Sequence, residues 1–74
     1  MTKTEKAVRD YLEQYGQPQT WEAIADHLAA NGYDKFDRSM AEAMVADGDI
    51  AYADGGVDSR DTPITLYAPL SYEG

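Results

Sequence analysis

Met40-Ala41-Glu42-Ala43-Met44-Val45-Ala46-Asp47-Gly48-Asp49-Ile50-Ala51-Tyr52-Ala53 is the stretch in which the periodicity of the chain changes. Up to Ala46 the apolar positions Met40 and Met44, with Ala41 beside them, recur at the spacing of one helix face. Past Gly48 the period becomes two, Ile50 and Tyr52 alternating with Ala51 and Ala53 as in a strand. Asp47-Gly48 is a helix stop, and Asp37 is a suitable N-cap. A helix is therefore predicted over 37–47, with Phe36 packing at its start and Arg38, Ser39, Glu42 and Ala46 facing outward.

Two further helices precede this one. Thr2-Lys3-Thr4-Glu5 has capping-box spacing, and Val8, Tyr11, Leu12 and Tyr15 follow at i, i+3, i+4 and i+7. Gly16 and Gln17-Pro18-Gln19 stop that helix, which is predicted over 3–15. Thr20 caps the next segment, predicted over 20–31, in which Trp21, Ile24, Ala25 and Leu28 repeat the same spacing before Asn31-Gly32.

Downstream, Asp54-Gly55-Gly56 reads as a turn, and Pro63 introduces a second alternating run, Ile64-Thr65-Leu66-Tyr67-Ala68, stopped by Pro69. The expectation is a hairpin with strands near 50–53 and 64–68, an acidic loop over 54–63 and a short tail over 70–74. The fold class is mainly α with a small β-hairpin, in one domain over 1–74. Its expected core is Val8, Leu12, Trp21, Ile24, Leu28, Met40, Met44, Ile50 and Leu66.

Three short helices followed by a two-stranded hairpin is the order of elements in the winged helix-turn-helix family. The chain resembles that family most clearly from Thr20-Trp21-Glu22-Ala23-Ile24-Ala25-Asp26-His27-Leu28 through Met40 to Ile50. The resemblance implies a third helix that enters the major groove of DNA and a hairpin loop, the wing, that touches the backbone or minor groove. Carried onto this chain, the DNA-facing positions are Lys35, Arg38, Ser39, Glu42 and, in the wing, Arg60.

The charge opposes that use. Fourteen acids against six bases give a net charge of −8. Residues 34–48 hold two bases and four acids, residues 49–61 one base and four acids, so the two expected contact elements carry −5 together. Phosphate contacts rest on Lys, Arg and backbone amides, and affinity grows with the number of phosphates neutralised. Lys3, Lys6 and Arg9 share one side of the first helix, but Glu5, Asp10 and Glu13 cancel them; the reading is a solvated face with pairs such as Glu5 to Arg9.

Catalysis is not expected. A chain of 74 residues has room for one core and little for an enclosed active site. There is no Cys, and the single His, His27, belongs to no nucleophile motif and reads as structural. Asp47, Asp49, Asp54 and Asp58 miss the alternation of a calcium loop, so no metal or cofactor is expected. Trp21, Met40 and Met44 read as core filling, whereas Tyr33, Tyr52, Tyr67 and Tyr72 are too many to bury together, which places one or two on a contact surface. The first residues lack the apolar run of a signal peptide, and no stretch reaches about 18 apolar residues, so a soluble cytoplasmic protein is expected.

Two functions fit these observations. One is a protein-directed module whose acidic face, Asp37, Glu42, Asp49, Asp54, Asp58 and Asp61, meets a basic surface on a nucleic-acid-handling complex. In size and charge the chain is similar to small viral and phage proteins that act as nucleic-acid mimics. The other is a DNA-binding transcriptional regulator, able to form a homodimer, whose nine Asp against three Lys suit a high-salt cytoplasm.

Overall fold

The structure, a computed structural model, describes residues 2–33 and 35–72. The chain order is α1 (Lys3–Tyr15), α2 (Trp21–Ala30), α3 (Arg38–Ala46), β1 (Ala51–Val57) and β2 (Pro63–Ala68). This layout of three helices and an antiparallel hairpin is compatible with that of a winged helix.

Each helix begins at the cap that its sequence offers. The Thr2 hydroxyl accepts from the Glu5 N–H at 3.1 Å while the Glu5 carboxylate accepts from the Thr2 N–H at 3.0 Å, closing the capping box. Thr20 accepts from the Ala23 N–H at 3.1 Å, and Asp37 from the Met40 N–H at 3.0 Å. The far ends of α2 and α3 share one hydrogen-bond pattern. Gly48 donates to the Val45 carbonyl at 3.0 Å and Asp49 to the Met44 carbonyl at 2.9 Å, as Gly32 and Tyr33 do to Ala29 and Leu28. Gly48 sits at φ +80°, where a side chain costs about 1–2 kcal/mol, and this turn reverses the chain into β1.

Val8, Leu12, Ile24, Leu28, Met44 and Ile50 are buried as expected, and Phe36, Ala41 and Tyr67 join them in one cluster. Trp21 and Met40 are half-buried at its margin. Tyr15, the last member of the α1 stripe, is half exposed and leans on Tyr11 at 5.9 Å between ring centroids. Leu66 is a correction to the expected core: it is half-buried, and the strand turns Tyr67 inward, at 1% exposure. The register explains this phase. Tyr52 pairs with Tyr67 and Ala53 with Leu66, so Leu66 shares the opposite sheet face with Ala53.

The hairpin loop is also shorter than expected. β1 runs on through Asp54-Gly55-Gly56 to Val57, with one extra residue between Asp54 and Val57, so the glycines form a β-bulge inside the ladder. The Asp54 carboxylate accepts from the Gly56 N–H at 2.8 Å. The turn itself is 58–62, organised by Asp58, whose carboxylate accepts from the N–H groups of Arg60 and Thr62 at 2.8 and 3.0 Å.

A further pairing lies in the segment read only as a break. Gln19 and Tyr67 exchange both backbone hydrogen bonds, at 2.9 and 2.8 Å, adding a one-residue bridge on the free side of β2. The expected Glu5 to Arg9 pair is not formed. Glu5 is held by the capping box, and among the described residues the salt bridge is Arg38 to Glu42.

Two substitutions test this packing. Leu28→Ala, at a site 1% exposed, is expected to lower unfolding free energy by about 2–5 kcal/mol in chemical denaturation. Gly55→Ala places a Cβ 2.9 Å from the Ile64 carbonyl oxygen and from side-chain atoms of Ile64 and Leu66, and is expected to cost about 1–3 kcal/mol. A melting temperature within a degree or two of the parent for either variant contradicts the corresponding contact.

Candidate binding surface on the third helix and hairpin

Asp37, Ser39 and Arg38 stand at the start of α3 because the cap fixes the chain there. The Asp37 carboxylate accepts from the Ser39 hydroxyl at 2.8 Å as well as from the Met40 N–H. Those two donors hold the Asp37 carboxyl below the ordinary carboxylate range, the Ser39 hydroxyl contributing most. Ser39 therefore faces its own helix cap. Arg38 is open to solvent at 72% side-chain exposure, and its Nε lies 3.9 Å from the Glu42 carboxylate one turn later. Lys35 and Arg60 are exposed, the latter in the hairpin turn.

Glu42 ties the exposed side of α3 to the hairpin. Its carboxylate accepts a hydrogen bond from the Tyr52 hydroxyl, which raises the Tyr52 phenol above its usual range, with burial and the Glu42 charge adding to the effect. Tyr52 is 54% exposed, yet its ring lies 5.8 Å from that of buried Tyr67. Burial likewise raises the Tyr67 phenol. Between α3 and the hairpin lies an open cleft of about 440 Å³ whose walls include Glu42, Tyr52, Asp54, Pro63, Ile64 and Thr65. A second cleft, about 200 Å³, is bounded by Trp21, Glu22, Arg38 and Tyr67.

The six acids of the expected acidic face therefore fall into separate places. Glu42 and Asp54 share the first cleft. Asp58 and Asp61 occupy the turn, Asp61 at φ +60°. Asp37 is a helix cap, and Asp49 lies past the end of α3, where a carboxylate oxygen of each of Glu5, Asp47 and Asp49 falls within 4.8 Å of the others. That grouping joins Asp47 and Asp49 to Glu5 on α1 rather than to Asp54 and Asp58. Asp34, one of the acids counted for residues 34–48, is outside the described residues.

Sequence reasoning missed the link between Glu42 and Tyr52. The two are ten positions apart on different elements, and nothing in the local pattern of either joins them. His27 is exposed and stacks on Tyr11 at 3.8 Å and 13°. Of the tyrosines in excess, Tyr67 is buried while Tyr33, Tyr52 and Tyr72 remain substantially exposed. No helix among the described residues is long and apolar enough to cross a membrane. No family model, no curated protein and no solved structure matches the chain.

The Asp37 cap has a pH signature. A carboxyl whose pKa is depressed by folding contributes stability that is present above its unfolded value, about pH 4, and is lost as pH falls through the lower folded value. Asp37→Asn keeps an acceptor oxygen and removes the titration. Thermal melts between pH 2 and 7 should show the difference between parent and variant shrinking toward low pH; a constant difference contradicts the cap's charge dependence.

Proposed function

We propose that this chain is a small, non-enzymatic winged-helix binding module directed at a protein, its α3 and hairpin surface meeting basic groups on a nucleic-acid-handling complex as a nucleic-acid mimic. The observation that carries this reading is the charge of the face that would otherwise meet DNA. Arg38, the one base on α3, lies against Glu42 of the same helix, and the adjoining cleft is lined by Glu42 and Asp54 with no base. A duplex placed there meets repulsion where the dominant attraction of DNA binding normally arises. A basic protein surface meets attraction, which acts chiefly on the rate of encounter and weakens with salt.

The hydrogen bonding dictates how to test it. Reversing Asp54 and Asp58 to Lys would remove acceptors that hold the bulge and the turn, confusing charge with folding. Asp→Asn at positions 54, 58 and 61 removes three charges and keeps a carbonyl acceptor at each. The parent is expected to capture a partner from cell lysate after nuclease treatment and to release it in high salt, and the triple Asn variant to capture less. The parent should not bind nonspecific duplex at ordinary salt. Tight duplex binding by the parent that is lost on Arg38→Ala, or capture abolished by nuclease, overturns the proposal in favour of a DNA-binding regulator.

A further inference from the structure

We infer that the cleft between α3 and the hairpin is a receptor for a single guanidinium group, an arginine side chain of the partner. This inference deepens the protein-directed reading above and rests on it.

Three features converge there. Glu42 and Asp54 supply two carboxylates, one from α3 and one from β1, with no Lys or Arg among the lining residues. Tyr52, 54% exposed, supplies an aromatic ring at the same place. Pro63 and Ile64 supply apolar surface, and the volume of about 440 Å³ exceeds that of one long side chain. This combination suits a planar cation on an aliphatic stem. The guanidinium stacks on a tyrosine ring while its N–H fork donates to a carboxylate, and the methylenes cover apolar wall. A lysine ammonium, a point charge without a planar face, uses the carboxylates but not the ring in that way.

The existing contacts prepare the cleft. The Tyr52 hydroxyl bonded to Glu42 fixes the ring and the carboxylate relative to each other, and each carboxylate oxygen has a second lone pair free to accept. Asp54 is oriented by the Gly56 N–H, and the bulge holds that backbone in place. Arg38 already lies 3.9 Å from Glu42 by a long, exposed pairing, which an incoming guanidinium with shorter contacts displaces.

The probes are acetyl-Gly-Arg-Gly-amide and its citrulline and lysine counterparts, titrated into the isotope-labelled full chain and followed by amide chemical shifts. The arginine peptide is expected to give saturable shifts concentrated at Tyr52, Ala53, Asp54 and Thr65, the lysine peptide weaker ones, and the neutral citrulline peptide none. Glu42→Gln should weaken arginine binding about fivefold, the range of a partly exposed ion pair. Tyr52→Leu should weaken it more than Tyr52→Phe, which keeps the ring and loses only the hydroxyl's hold on Glu42. Parent-like shifts at core amides such as Leu12 and Leu28 confirm that each variant is folded. Shifts spread over Glu5, Asp47, Asp49 and the 58–62 turn without the cleft, an absence of shifts, or indifference to Glu42→Gln each overturn the inference. Nuclease-resistant capture and the lack of duplex binding are measured on the same parent sample. If they persist while the arginine peptide misses the cleft, the site is wrong and the protein-directed function stands; if the duplex binds, the function itself fails.

Discussion

Both backbone groups of Tyr67 are bonded to Gln19 while its ring lies in the core at 1% exposure, and this double attachment sets where the hairpin stands against the helices. An isolated two-stranded hairpin is marginal in water. Here the second strand is clamped on its outer side by the segment between α1 and α2 and from its face by the core. Because the peptide groups of Tyr67 point to Gln19, its pairing with Tyr52 is of the non-hydrogen-bonded kind, in which side chains stand closer. The rings come to 5.8 Å, and the Tyr52 hydroxyl is thereby delivered to Glu42 on α3. The geometry of the cleft thus descends from a pairing on the outer side of β2.

What was legible in the sequence is what local chemistry determines. The helices start at Thr2, Thr20 and Asp37 and end at glycines because caps and left-handed turns are satisfied within four or five residues of chain. The Gln19 rung was not legible, since it depends on a partner 48 positions away and Gln17-Pro18-Gln19 has no strand periodicity of its own. Asp54-Gly55-Gly56 misled for a different reason. The residues that make turns also make bulges, and what distinguishes them is the close approach of Ile64 and Leu66 to Gly55, which only the paired strand supplies.

The phase of β2 failed for a related cause. Ile64-Thr65-Leu66-Tyr67-Ala68 carries apolar side chains on both faces, so alternation leaves two choices, and Leu is ordinarily the more buried type. The clamp at Gln19 and the pairing with Tyr52 select the other. The acids of the site could be named from the sequence, whereas the aromatic that bonds Glu42 and stands beside Asp54 in the cleft could only be narrowed to four tyrosines.

Fourteen acids and six bases cannot neutralise one another, and composition alone does not separate salt adaptation from a binding surface. Hydrogen bonding separates the acids into kinds. Asp37, Asp58 and Glu5 have carboxylates committed to caps and turns, where backbone N–H groups stabilise the charge without a counter-ion. Such residues explain an acidic sequence through folding and require no partner. Glu42 and Asp54 differ. Asp54 is anchored by a local N–H and Glu42 by the Tyr52 hydroxyl, yet both open onto one cleft beside an exposed ring, with Arg38 held only by a 3.9 Å contact. Net charge sets how strongly the whole molecule attracts a basic partner, and screening by salt weakens that attraction over the surface at large. Recognition needs carboxylates that are fixed in place and not held by a close counter-ion, and these two meet that condition together.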